Sequence, residues 1–244
     1  MAPRSYPLPR CRFWPATLLL AALLVALAGL LVLPAAQASA VTVPRGLAED
    51  SPFIDVYPDD PDFEAIYALW NAGIIAGYEV DDGVYEFRPY NPVLRQHFAK
   101  MIVLTLGVPT SEDDVCPFED VDVSGPYDFY PDNYIAAAYF ADITNGTSFY
   151  TFSPWDDVTR AQLMTMVVRA LENYAEVTLE DPDWSYEGCM AGFDDPTHGY
   201  NAQLAEWNGL LVGIDLYGWD VWEPATRGEV AQVLWNAVGL LPGD

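Results

Sequence analysis

Apolar residues recur at helical spacing in six stretches of this chain, and in one further stretch they run without a break. Phe63, Ile66, Leu69 and Trp70 fall on one face of a helix, and Gly73 supplies its stop. A second helix is predicted over about 92–106, closed by Gly107. The same pairing returns at about 132–141 and 159–174, and again at about 200–208 and 226–238. The stretch 79–92 between the first two helices holds Gly, Asp and aromatics, which suits a turn or short hairpin. Residues 108–115 and 176–188 are acidic, contain Pro and read as linkers.

The helix pairs belong to a repeat. Phe53-Ile54-Asp55-Val56 recurs as Phe118-Glu119-Asp120-Val121 and, more faintly, as Phe193-Asp194-Asp195-Pro196. Some 20 residues later come Gly73–Gly77, then Asp142–Gly146, then Gly209–Gly213. An aromatic two residues before a proline follows: Phe87-Arg88-Pro89, Phe152-Ser153-Pro154 and Trp222-Glu223-Pro224. Each repeat then opens its second helix on an arginine, Arg95, Arg160 or Arg227. On this alignment the third repeat lacks three residues between its proline and its arginine. The predicted repeats span 53–108, 116–176 and 189–241. A two-helix unit cannot bury its apolar face alone, so the three should share one core.

The unbroken run, residues 16–33, changes the picture of location. Arg4, Arg10 and Arg12 precede it, and Ala36-Gln37-Ala38 and Ala38-Ser39-Ala40 follow with small residues at cleavage-site spacing. Residues 1–40 read as a secretory signal peptide and 41–52 as a linker, so the mature chain is expected to be secreted, outside the cytoplasm. No second span is read, so no membrane contact is expected after signal removal. The first 40 residues hold no acid, so residues 41–244 carry seven cations against all 36 acids, a formal −29. Such a surface repels nucleic acid and anionic lipid headgroups. The 52% apolar and 14% aromatic content argues against disorder.

Thr159-Arg160-Ala161-Gln162 and Thr226-Arg227-Gly228-Glu229 both fit the capping box, with the threonine hydroxyl serving an amide three residues on. This puts Arg160 and Arg227 at the first helical position, the positive end of the helix dipole. A guanidinium beside unpaired backbone amides suits a site that meets an anion. In repeat one the corresponding run is Leu94-Arg95-Gln96-His97, without a hydroxyl cap.

These motifs together resemble S-layer homology domains, the cell-wall anchoring modules of bacteria, in a set of three over about 53–241. The resemblance implies an all-α fold: three tandem two-helix repeats packed as a pseudo-threefold trimer with short loop or hairpin insertions. It implies grooves between repeats that bind an acidic secondary cell-wall polysaccharide, often bearing pyruvate ketals. Carried over, the glycan contacts are Arg95, Arg160 and Arg227 with the capping residues Thr159 and Thr226. Aromatics stack on sugar faces, with Trp155 and Trp222 foremost and Trp70 and Trp207 as further candidates. The chain departs from the family at Pro61 and Tyr130, where a tryptophan is usual, and at Ala76, Asn145 and Val212, where a lysine is frequent.

Other chemistry is sparse. Cys116 and Cys189 form an even pair in an exported chain, which favours a disulfide. The acids Asp55, Asp59, Asp60 and Asp62 lack the spacing of a calcium loop and read as solvated. Neither histidine, His97 or His198, stands at ligand spacing from a cysteine, so no metal and no cofactor is expected. No nucleophile elbow, zincin or phosphate-loop motif occurs, so no catalytic residue is assigned and no enzyme is expected. A non-catalytic wall-binding module is the first reading. The second is a protein–protein module with degenerate grooves, binding other surface proteins. The third is a secreted glycosidase, which the carboxylates alone do not exclude.

Overall fold

The computed structural model describes residues 51–125 and 128–242. The predicted signal segment and most of its linker lie outside them. Six helices fall where the periodicity places them: α1 (Phe63–Asn71), α2 (Arg95–Leu106), α3 (Asp132–Phe140), α4 (Arg160–Arg169), α5 (Gly199–Trp207) and α6 (Arg227–Val238). Helix α4 runs on into a π-helical turn, Ala170–Tyr174. A single apolar core joins residues of all three predicted helix pairs, among them Leu69, Phe98, Leu163, Leu171, Leu204 and Leu234. A smaller cluster gathers Phe118, Ile135 and Phe152 around Ala99 of α2.

The fold is mixed, not all-α. Strands β1 (Tyr78–Asp81) and β2 (Val84–Glu86) form an antiparallel hairpin between α1 and α2. Three isolated antiparallel bridges, Pro92–Thr226, Leu94–Asp157 and Thr159–Pro224, add extended pairing just ahead of the second helices. Hairpin β1–β2 escapes periodicity because all four β1 residues are exposed, so no inward face is marked in the sequence.

The bridges close a ring. The amide of Val93 donates to the carbonyl of Ala225, Ala225 to Val158, and Val158 back to Val93, at 3.1, 2.9 and 2.8 Å. One step further out, Arg95 N–H donates to Asp156 O, Arg160 to Glu223 and Arg227 to Asn91. The next amides follow suit, Gln96 to Pro154, Ala161 to Val221 and Gly228 to Pro89. The first amides of a helix have no intrahelical partner. Here each repeat's second helix finds its acceptors in the next repeat's loop, in cyclic order. The short helices are exchanged in the same sense: α3 packs on α2, α5 on α4, and α1 on α6.

The ring also corrects the repeat alignment. Val221 occupies the place of Pro89 and Pro154, because all three carbonyls accept the amide after the motif arginine. The third turn is therefore Trp219-Asp220-Val221, not Trp222-Glu223-Pro224. No residues are missing: each arginine lies six positions beyond Pro89, Pro154 or Val221.

The recurring opening aspartate has a mechanical role. Both oxygens of Asp120 accept amides, from Phe152 and Ser153, at 2.8 Å each. Asp55 accepts from Phe87 and Arg88 in the same way, at 2.7 Å each. Arg88 and Ser153 have φ of 61° and 58°, a region that side chains resist. The carboxylate holds the strained turn that seats Phe87 or Phe152, both fully buried. Losing two charge-assisted bonds while leaving two amides unpaired should make Asp120→Ala less stable by about 2–3 kcal/mol. A denaturant midpoint indistinguishable from wild type would show that the turn needs no such pin.

The expected Cys116–Cys189 bridge is not formed, since Cys116 is a free thiol. The two cysteines pack against different clusters, Cys116 beside Phe118 and Cys189 on the main core. Burial raises the pKa of the Cys116 thiol, so it is also a poor nucleophile.

Candidate functional site

Each motif arginine crosses to a neighbouring repeat. Arg95 donates through Nε to Phe152 O at 2.8 Å and through Nη1 to Gln162 Oε1 at 2.9 Å. Its guanidinium lies 4.7 Å from the Phe152 ring centre. Arg227 donates through Nε to Phe87 O at 2.7 Å and through Nη2 to Ala76 O at 2.8 Å. It stacks over the rings of Phe87 and Tyr78. Arg160 lies over Trp219, the equivalent ring of repeat three.

The partner at the fourth motif position separates the three. Arg160 meets Glu229, with Nε 3.1 Å from both carboxylate oxygens and Nη2 2.7 Å from Oε1. That pair is self-neutralised, and Glu229 also accepts Trp219 Nε1 at 2.6 Å. The residue facing Arg95 is the uncharged Gln162. His97 holds the equivalent position for Arg227, close enough that this cation bears on its titration. Arg95 and Arg227 are 4% and 7% exposed, and neither makes an ion pair with a described residue. Burial lowers the Arg95 pKa to about 10 and moves Arg227 in the same direction. Asp156 and Asp120 offset this in part for Arg95, as Tyr78 and Asp55 do for Arg227, and a buried cation without a direct ion pair favours an incoming anion.

Arg95 opens onto a cleft of about 320 Å³ between the turn 144–147, α4 and the start of α5. Arg169, Gln162 and Thr165 line it from α4, with Thr197 and His198 opposite. Among the described residues no carboxylate lines this cleft, although the chain carries a formal −26. Arg169 is half-buried and has no ion pair among them. His198 Nδ1 lies 2.7 Å from Thr165 Oγ1. Burial holds the His198 imidazole below its ordinary pKa; Arg169 and Arg95 add to this, and Asp195 opposes it.

The groove of Arg227 is also cationic and aromatic. Lys100 Nζ lies 5.7 Å from the Tyr130 ring centre and 5.5 Å from that of Tyr134. His97 stacks on Tyr130 at 5.9 Å. Burial lowers the His97 pKa, and Arg227 and Lys100 push it the same way. The Tyr130 hydroxyl is buried without a hydrogen-bond partner among the described residues.

The threonines are engaged elsewhere. Thr159 and Thr226 accept the amides of Gln162 and Glu229 at 3.2 Å, and Gln162 and Glu229 bond back, completing both capping boxes. The helix amides are likewise taken, by the neighbouring loops, so the arginines do not stand beside free N–H groups. Trp155 is 67% exposed. Trp222 sits edge-on to His198 at 5.8 Å, beside the Arg95 cleft rather than in the groove of Arg227. In the corrected register Trp155, Trp222 and the 81% exposed Tyr90 occupy equivalent places, each following Pro154, Val221 or Pro89. Trp70 and Trp207 pack against Phe53 and Tyr186. Sequence reasoning missed Arg169 and Tyr90. The six-residue interval to each arginine was the signal that would have exposed Tyr90, and Arg169 left none.

A cationic cleft beside an exposed aromatic can hold an anionic ligand. The S-layer homology domain model matches residues 52–99 and 117–164, stretches that contain the pinning aspartates and the motif arginines Arg95 and Arg160. Two stretches of the chain thus match the S-layer homology domain, a non-catalytic module that anchors proteins to the cell wall and binds its polysaccharides. An endoglucanase of Bacillus sp. (strain KSM-635) is 30% identical over 162 residues, 64% of this chain and 16% of that protein. The chain thus spans well under two thirds of this relative. Among the described residues no helix is long and apolar enough to cross a membrane.

Proposed function

We propose that the chain is exported and holds its protein on the bacterial envelope by binding an acidic wall polysaccharide. The carboxylate of one sugar, such as a pyruvate ketal, enters the cleft between Arg95 and Arg169. A second enters the groove of Arg227 and Lys100. Arg160, committed to Glu229, serves the fold. The helix pair of 189–241 acts as a third repeat of the same kind, its Thr226 capping box and ring contacts matching those of Thr159. The observation that carries the reading is the convergence of two guanidiniums without an ion pair among the described residues in a carboxylate-free cleft of a strongly acidic protein. Guanidinium–carboxylate contact is charge-assisted and directional, and each such bond contributes about 1.5–3 kcal/mol. On this reading the chain performs no catalysis, and the name of the endoglucanase relative describes that protein only.

The test is co-sedimentation of residues 41–244 with wall sacculi, with wall polymers intact and stripped by acid. Wild type should pellet only with intact polymer. Arg95→Ala/Arg169→Ala should remain folded and lose tenfold or more in wall affinity, whereas Arg160→Ala should melt earlier yet still pellet. A folded double variant that pellets like wild type would overturn the assignment. Wild type that stays in the supernatant throughout would favour a protein partner, for which the exposed Phe149, Trp184 and Tyr217 are the candidate contacts.

A further inference from the structure

The chain has two histidines, and each lies beside one of the two motif arginines that make no ion pair with a described residue. They do not occupy equivalent places. His97 is on a second helix, at the position held by Gln162 and Glu229 in the other repeats. His198 is the residue that caps α5. From the geometry we infer that ligand binding in these grooves is proton-linked: a bound saccharide carboxylate draws a proton onto His198 in one groove and His97 in the other. This rests on the glycan-binding reading above and specifies how the same grooves are regulated.

The surroundings set the sign. His198 is faced by Thr165 and Arg169 from α4 and by Arg95 from α2. Asp195 stands on its own loop, where it accepts the His198 amide, and Trp222 covers the ring edge-on. His97 is faced by Arg227 from α6, by Lys100 on its own helix, and by Tyr130 from the loop before α3. In the free protein, burial and cations hold both rings neutral near pH 7. A carboxylate between the cations reverses that balance and favours imidazolium. The Thr165 hydroxyl can donate to a neutral Nδ1 and accept from a protonated one, so charging His198 does not break this contact. Binding therefore takes up protons and tightens as pH falls through the histidine range.

An opposite charge within about 4–6 Å raises a pKa by about one unit or more. A one-unit rise gives at most a tenfold gain in affinity per groove once pH lies below both values. Between about pH 8 and 5.5, above the range of most surface acids, a gain of roughly fivefold per groove is expected.

The experiment is calorimetric titration of residues 41–244, which contain every described element, with a pyruvate-ketal glycoside and with wall polysaccharide released from sacculi. Affinity should rise on acidification, and heats in buffers of different ionisation enthalpy should report proton uptake. In His97→Gln/His198→Gln the affinity, whatever its value at pH 8, should show no gain at pH 5.5 and no proton uptake. A wild-type affinity that is flat with pH, or a double variant that keeps the slope, overturns the linkage and leaves the glycan reading standing. Absence of binding to both ligands at every pH overturns the glycan reading and the linkage with it.

Discussion

Replacing Glu229 with alanine is expected to cost about 3–5 kcal/mol and to lower the melting temperature by about 10 °C. The carboxylate accepts three guanidinium contacts from Arg160 and the indole N–H of Trp219. It also accepts the Thr226 amide, as half of a capping box. Arg160 and Glu229 have side chains only 15% exposed, so alanine would leave a largely desolvated cation beside Trp219 with no counter-charge. Glu229→Gln should cost much less. Gln162 shows that glutamine at this position completes a capping box and accepts from an arginine at once. It should also turn the Arg160 groove from closed to anion-accepting. Thermal melts of the two variants decide the matter: an alanine variant within about 1 °C of wild type would mean the pair contributes nothing to the fold.

Gly146→Ala should cost about 3 kcal/mol or more. The residue sits at φ 74°, and a Cβ there would lie 2.4 Å from the Phe118 ring and 2.5 Å from the Thr151 carbonyl. Phe118 is buried against Phe152, and the carbonyl is held by Thr147, so neither neighbour yields without moving the other. The left-handed backbone alone costs a β-carbon about 1 kcal/mol, and forced overpacking adds about 1–3 kcal/mol. Gly107 is the internal control: its φ is 63°, with open space where a Cβ would be. Gly107→Ala should therefore lose only the backbone share, about 1 kcal/mol. Because Gly146 lines the Arg95 cleft, its variant should also weaken saccharide binding, whereas the Gly107 variant should not. Equal melting temperatures for the two would show that Phe118 and Thr151 relax freely.

Much of this was legible from residues alone. Both capping boxes were readable because their hydroxyl and carboxyl or amide partners are three residues apart in sequence. The helices were readable because their apolar faces follow one period. What stayed hidden depended on contacts distant along the chain. The third repeat was misaligned because Val221 replaces the proline, while Trp222-Glu223-Pro224 imitates the motif three residues later. Arg169 reads as an ordinary cation near a helix end; only the fold brings it beside Arg95 and His198. The pairing of α1 with α6, α3 with α2 and α5 with α4 was also unreadable, since no local pattern says which repeat a helix will lie against. The motif arginines stand out in the sequence, but their division into two without an ion pair among the described residues and one paired cation rests on a single fourth-position residue in each neighbour.

The ring of backbone bonds around Val93, Val158 and Ala225 fixes the copy number. In an open stack of repeats each unit adds one interface, so such proteins lengthen or shorten by whole units and can fray from an end. Here the last unit hands its helix amides to the first, and the count closes at three with no terminal unit. A duplicated fourth unit would find every acceptor taken, and deletion of one would strand donors on one side and acceptors on the other. The three helix pairs should therefore melt as one indivisible module, even though the sequence writes them as separate units.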